Sequence, residues 1–375
     1  MKLGLYIHIP FCRSKCLYCD FCSFPRADAE RTESYVTALC RDLASRADDA
    51  AAYTVDSIYL GGGTPTILPA RLLVQILETV FSHYRVAKDA EITAECNPAT
   101  GGRAVFAEMR RVGFNRLSIG LQSTHDIELR ALGRLHSFAD FEKTFCEARS
   151  VGFDNISADV MSGIPHQTPE SYLQTLERLC ALVPEHISAY GLTVEDETPF
   201  GRMGARLILP DEDAARQMYF DGIAYLEQNG YAQYEISNFA KIGYESRHNL
   251  KYWNCDPYLG FGPAAYSDFG GVRFGNSRDM DAYIEGKNIC TDSETPSPRD
   301  RMNEYVMLRM RLREGVTAVD FEKRFGEPFE NIFGKRLSAY ESGGFVKKTA
   351  HGWAFTPAGM YVSNAILSEI LEFDT

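Results

Sequence analysis

The sequence predicts an α/β chain: an open, partial (β/α)6 barrel followed by a small winged-helix-like α+β domain. Three observations lead there. Strand-like and helix-like segments alternate from the first residues to about residue 192. A short echo recurs, RRVGFNRLSIG at 110–120, ARSVGFDNISAD at 148–159 and LEQNGYAQYEI at 226–236, each running helix, glycine, aromatic, strand. Finally, Thr295-Pro296-Ser297-Pro298 marks a boundary, beyond which short helices and a hairpin replace the alternation.

The apolar run Leu5-Tyr6-Ile7-His8-Ile9 reads as the first buried strand. The others are placed at Ser57–Leu60, Glu91–Ala94, Arg116–Gly120, Ile156–Met161 and Ile187–Leu192, with helices over 31–46, 69–83, 102–112, 138–150 and 169–182. Gly113, Gly152 and Gly230 stand where a helix ends in a left-handed residue. Six βα units are too few for a closed eight-stranded barrel, so the barrel is open, and its chemistry is expected at the carboxyl ends of the strands. The domains divide as 1–240 (barrel), 241–295 (a Gly- and aromatic-rich connecting segment) and 296–375. In the last, helices at 299–313, 317–325 and 330–342 precede a hairpin, Phe345–Lys348 and Trp353–Thr356, and a final amphipathic helix.

Directly after the first strand, Cys12, Cys16, Cys19 and Cys22 fall within eleven residues. Structural zinc takes two Cys pairs set a dozen or more residues apart, and no second pair follows. Thiolates crowded on one short loop suit an iron–sulfur cluster. The run CxxxCxxC resembles the signature of the radical S-adenosylmethionine (SAM) family. That likeness implies a [4Fe–4S] cluster on Cys12, Cys16 and Cys19, with the fourth iron open to SAM, whose reductive cleavage gives a 5′-deoxyadenosyl radical. Cys22 is either a fourth ligand or an unligated neighbour. The other six Cys are isolated and read as small core hydrophobes, with no disulfide framework.

The strand ends carry polar or conformationally special groups: Gly61-Gly62-Gly63-Thr64-Pro65, Glu95-Cys96-Asn97-Pro98, Gln122-Ser123, and Asp159 leading to Gly163. Any one of them could be only a solvated rim residue or an N-cap. The strings YIHIPFC, YLGGGTPT, ECNP, RLSIGLQS, LGRLH and DVMSGIPHQT resemble the coproporphyrinogen oxidase branch of that family over residues 4 to about 295. By that resemblance Tyr6, Tyr18, Gly62, Gly63, Thr64, Glu95, Gln122, Arg134, Asp159 and Ala189 line the SAM pocket. Glu95 suits an amino group, Arg134 a carboxylate, and Asp159 or Gln122 the ribose hydroxyls.

His248, Asn249, Tyr252 and Trp253 form HNxxYW. A His beside a Trp is commonly a satisfied packing residue, but the whole string resembles the mark of the HemW haem chaperones. That implies haem as a further ligand, with the His248 imidazole as its axial ligand. The alternative enzyme reading is oxygen-independent coproporphyrinogen III oxidase, whose family carries an extension before the first strand and a CxC end to its cluster loop. Here the strand starts by residue 4 and the loop reads Cys19-Asp20-Phe21-Cys22. Haem breakdown by a methyltransferase-like relative ranks below both.

Net charge is −12, and residues 296–375 are balanced at 11 basic and 11 acidic, so the barrel carries the whole deficit. An acidic body argues against nucleic acid as a partner, although a winged-helix DNA-binding regulator is the alternative of a different class. No leader and no apolar stretch of membrane-spanning length is present, which with the thiols fits a cytoplasmic setting. The partners implied are haem, haem-accepting proteins including membrane-associated ones, and an electron donor for the cluster.

Overall fold

The structure is a computed structural model that describes residues 1–25, 28–287 and 289–371. Residues 372–375, the end of the predicted C-terminal domain, lie outside the described residues. Six parallel strands lie in sequence order: β1 (Lys2–Ile9), β2 (Thr54–Gly62), β3 (Val86–Cys96), β4 (Arg116–Gln122), β5 (Ile156–Ser162) and β6 (His186–Gly191). Helices α1 (Ala29–Ser45), α2 (Ala70–His83), α3 (Arg103–Val112), α4 (Phe138–Ser150) and α5 (Pro169–Cys180) make the crossovers. The predicted helix 138–150 is α4 to the residue, held at its start by a Ser137–Asp140 capping box. Gly113, Gly152 and Gly230 all take positive φ just past helix ends.

Residues two apart on a strand face the same way, so the outward series Leu3, Leu5, Ile7, Ile9 and its counterparts Ile58, Leu60, Ile92, Ala94, Leu117 and Ile119 pack beneath the helices in the main core. The inward series is polar. Tyr6 pairs with Tyr59, Tyr59 with Thr93, and Thr93 with Arg116, forming one tier; Glu95 with Ser118, and Gly120 with Asp159 and Ser188, form the tiers above. The hydrophobes of the barrel therefore lie outside it, and its interior is polar.

Residues 241–295, the predicted connecting segment, add strands to the same sheet. After α6 (Glu212–Gln228), the short strands β7 (Ala232–Gln233) and β8 (Asn238–Ala240) extend the sheet beyond β6. Helix α7 (Arg247–Trp253) follows, and then β9 (Tyr258–Phe261) lies parallel to the free edge of β1. Antiparallel β10 (Tyr266–Phe269), β11 (Val272–Asn276) and β12 (Cys290–Glu294) complete a twelve-stranded sheet. These strands are short and mix Gly with aromatics, so they carry no period-two signal.

Helix α7 crosses the amino-terminal side of the barrel and is tied there by charge. The Glu91 carboxylate accepts from the backbone N–H of Arg247 (3.1 Å) and His248 (3.0 Å), where a helix N-terminus favours an anion. Lys251 Nζ meets Asp56 Oδ1 at 2.6 Å, both side chains buried.

Beyond Ser297 the C-terminal domain has its own core around Trp353, Phe321 and Phe333. Its three strands, β13 (Val316–Thr317), β14 (Val346–Lys348) and β15 (Gly352–Phe355), are ordered β13-β15-β14, with the predicted hairpin between β14 and β15. Lys348 lies 4.9 Å over the Trp353 ring, so one of the two lysines that mark the wing as basic is engaged within the domain. No helix among the described residues is long and apolar enough to cross a membrane.

The buried pair yields a contrast. Lys251→Met strands the Asp56 carboxylate and should lower unfolding stability by about 3–5 kcal/mol. Lys2, which also reaches Asp56 at 3.6 Å but is three-quarters exposed, should give a change within about 0.5 kcal/mol as Lys2→Met. Urea unfolding of the two variants checks this, and equal effects would deny α7 its electrostatic anchor.

Candidate active site

The loop that leaves β1 is fastened at both ends. Phe11-Cys12 pairs with Phe24-Pro25 as a two-stranded ribbon. The backbone N–H groups of Gly63 and Thr64 donate to the carbonyls of Ile9 (2.9 Å) and Phe11 (2.8 Å). A Cβ on Gly63 would lie 2.6 Å from both of those carbonyl oxygens, so only glycine lets the end of β2 meet the loop. On the far side, His8 Nε2 donates to the Cys22 carbonyl at 2.7 Å, which leaves Nδ1 to accept from the Tyr6 hydroxyl at 3.0 Å. Burial keeps that imidazole neutral, pushed down to about 4.

Within the loop, Cys12, Cys16 and Cys19 face a cavity of about 270 Å³ at the carboxyl ends of the strands. Cys22 does not line it. Its thiol points the other way, to the Arg278 carbonyl at 3.7 Å, in the segment leading to β12. Burial pushes the Cys12 and Cys19 thiols up, the latter to about 11. Among the described residues no three ligating side chains converge as a single metal ion requires. A cluster has no such need, because each thiolate binds its own iron.

Of the residues predicted for the pocket, Tyr18, Gly62, Gly63, Glu95, Gln122, Arg134 and Asp159 line this cavity. Glu95 accepts from the Tyr59 hydroxyl and the Gly62 N–H, both at 2.9 Å. Burial, reinforced by the Asp159 charge, pushes its carboxyl up to about 7. Burial also raises Asp159, which accepts from Ser118 Oγ at 3.1 Å. Arg134 donates to the Gly120 carbonyl (2.6 Å) and to Asn97 Oδ1 (2.8 Å), and its other amino group reaches Cys16 Sγ at 3.6 Å. Gln122, at a bulge on β4 with φ 70°, accepts from the Tyr190 hydroxyl at 3.0 Å.

Three predicted residues stand elsewhere. Thr64 lies outside the cavity wall, its hydroxyl 3.7 Å from Cys12 Sγ and accepting from Asn97 Nδ2 at 2.8 Å. Tyr6 is in the tier below, behind His8. Ala189 alternates with the cavity-lining Ser188 and Tyr190, so its Cβ faces the outer layer, and its N–H is given to the Ser237 carbonyl at 2.7 Å.

His248 stands apart from the cavity wall. It is 1% exposed, with Nδ1 bonded to Ser57 Oγ at 3.0 Å and Nε2 to the Tyr252 hydroxyl at 2.9 Å, and it stacks on Tyr59. Burial and the charge of Lys251 hold it at about 3. Both nitrogens are thus hydrogen-bonded within the chain; of the motif, Asn249 lines the cavity. The sequence reading assigned no pocket role to Asn249, Tyr59, Asn97, Arg116, Ser118, Ser188 and Tyr190, all of which line the cavity. Counting by twos along the strands reaches Asn97 from Glu95, and Ser118 and Arg116 from Gln122; the others carry no such signal.

A polar cavity at the strand ends, roofed by a CxxxCxxC loop, defines a radical SAM protein, and the profile of the Radical SAM superfamily matches residues 6–179. That of the HemN C-terminal domain matches residues 297–362. The chain is 34% identical over 374 residues to the "Heme chaperone HemW" of Escherichia coli, covering 98% of each. It is 32% identical to that of Bacillus subtilis, again over 98% of each. It is 38% identical over 271 residues to the mouse "Radical S-adenosyl methionine domain-containing protein 1, mitochondrial", covering 72% of this chain and 61% of that one. The chain belongs to the HemW family. Among solved structures, E. coli coproporphyrinogen III oxidase (HemN) superposes with a TM-score of 0.86 at 24% identity, over 98% of this chain and 90% of that one, which establishes a shared fold.

The Glu95 environment predicts a pH dependence. Its carboxyl keeps a proton to about pH 7, against an ordinary value of 4.5, so across that window the folded chain binds more protons than the unfolded one. Its contribution to stability is whole below the lower value and is lost as pH rises through the upper one. Glu235, also raised to about 7 by burial, behaves alike. Glu95→Gln should flatten part of the fall in urea midpoint between pH 5 and pH 7 and leave the part due to Glu235. An unchanged slope would mean that Glu95 is solvated.

Proposed function

We propose that this chain is a haem chaperone: it carries a [4Fe–4S] cluster on Cys12, Cys16 and Cys19, binds SAM in the cavity beneath, and holds haem for delivery to acceptor proteins. The observation that carries the reading is that three of the four loop cysteines face a polar cavity while the fourth is turned to Arg278. A three-thiolate site leaves one iron for a non-protein ligand, and when bound the cluster supplies the electron for reductive cleavage of a sulfonium.

The side chains around the cavity suit SAM. Glu95, already organised by Tyr59 and Gly62, has lone pairs left for an ammonium group, and a cation there would draw its proton off. Arg134, fixed by Gly120 and Asn97 beside Cys16, is set for a carboxylate. Asp159 and Gln122 suit ribose hydroxyls. Gly62 and Gly63 allow close approach of backbone, and Tyr18 gives an apolar wall. Family membership supports haem as the cargo, received by acceptors in the cytoplasm or at the membrane, with a separate protein reducing the cluster. The HNxxYW helix also packs across the amino-terminal side of the barrel.

Anaerobic reconstitution tests the assignment. Cys12→Ser, Cys16→Ser and Cys19→Ser should each lose most of the iron and the visible absorption of the cluster, while Cys22→Ser keeps them; equal loss in Cys22→Ser would make the site closed. The reduced parent protein with SAM and coproporphyrinogen III should form no protoporphyrin yet bind haem tightly. Turnover would instead place it with the oxidases.

His248→Phe provides the haem test. It should lower stability, through loss of the Ser57 and Tyr252 bonds, while the folded protein keeps its haem affinity within about twofold. A haem titration of the folded variant reads this directly, and a selective loss of haem would restore His248 as the ligand.

A further inference from the structure

The lower part of the cavity holds a cation for which the described residues provide no salt-bridge partner. Arg116 is 2% exposed and lines the cavity, and its Nε has no hydrogen-bond partner. Its register neighbour on β3, Thr93, is fully buried with an Oγ1 that has no partner either. Two adjacent inward-facing donors are thus orphaned in one tier, and a buried unpaired guanidinium is costly to keep.

The acids that could have served are occupied. Glu91 holds the N-terminus of α7, Glu95 takes Tyr59 and Gly62, and Asp159 takes Ser118. Asp159 acts on Arg116 through its field, not through a hydrogen bond. Lys251, the nearby cation of α7, is spent on Asp56. Asn249, at the start of α7, lines the same cavity.

We propose that the floor of the cavity is a ligand subsite of its own, where a carboxylate seats on the Arg116 guanidinium beside the Asn249 amide, below the strand-end groups assigned to SAM. A planar guanidinium with a free Nε–H is matched to a carboxylate, which can take two parallel hydrogen bonds from it. The acid is either a small free carboxylate or the carboxylate arm of a larger molecule. The subsite goes beyond the SAM and haem reading and stands without it.

The test uses the full-length, cluster-loaded chain and propionate as the probe, with propionamide as its neutral isostere and chloride at equal ionic strength. Propionate should raise the thermal midpoint saturably, and propionamide and chloride should not. Arg116→Gln should weaken propionate binding by about 10- to 100-fold, with Arg116→Lys recovering part of it. Should Arg116→Gln fail to fold, Asn249→Asp, which sets a fixed carboxylate beside the guanidinium, should abolish the propionate response. A parent protein that treats propionate as it treats chloride, so that only ordered water satisfies Arg116, overturns the proposal; so does a folded Arg116→Gln that responds like the parent.

Competition by haem and its dimethyl ester identifies the source. Displacement of propionate by haem alone assigns the site to a ring's acid arm, and displacement by neither assigns it to a free acid. A SAM titration of the same samples keeps the readings apart. Propionate binding without SAM binding would sink the proposed function and leave the subsite.

Discussion

The structure depends on one constraint: every strand of the barrel has a polar inner face that must be satisfied within the barrel. The outer face packs as in any α/β protein, with leucine, isoleucine and valine beneath the helices. The inner face places Tyr6, Tyr59, Thr93 and Arg116 in one tier and Glu95, Ser118, Asp159 and Ser188 above it. Most of these groups are paired with one another, which fixes their positions in advance of any ligand and keeps the cavity open. Those left over mark where ligands are to be sought.

The same constraint explains α7. A barrel open on its amino-terminal side would wet the lowest tier, and the HNxxYW helix closes it with a buried ion pair, a carboxylate at its N-terminus and an imidazole held between Ser57 and Tyr252. A second imidazole is built in the same way on β6, where His186 lies between Ser157 Oγ (2.7 Å) and the Tyr234 hydroxyl (2.8 Å). Two neutral histidines, each bridging a strand serine to a tyrosine hydroxyl, thus stitch neighbouring segments onto the barrel. Neither has a free nitrogen for another task.

Much of this was legible in the sequence. The six parallel strands, the five crossover helices and the C-terminal hairpin follow from periodicity, capping and glycine placement, because those signals are local. The cysteine loop and the strand-end residues Glu95, Gln122, Arg134 and Asp159 were legible from motif and position. The outward Cβ of Ala189 was not legible, because a motif says which stretch approaches a ligand, whereas side-chain direction depends on strand parity. The setting of His248 was not legible either, because a hydrogen bond to Ser57, far away in the chain, leaves no trace in local sequence. Residues 241–295 failed because strands of four or five residues, rich in glycine, owe their form to the sheet edge they join rather than to their own pattern.

The pairing of β9 with β1 also bears on how the chain is made. The cysteine loop grows from β1, which precedes β9 in the chain, yet Gly4 to Ile7 find their second neighbour only at Tyr258–Phe261, and Cys22 finds its acceptor only at Arg278. On the ribosome the loop therefore emerges early and waits, attached to a strand with one bare edge, while most of the barrel is translated. Its final shape is a late event in synthesis, set by residues that contribute nothing to its chemistry. Order of translation and order of completion run in opposite directions at this site.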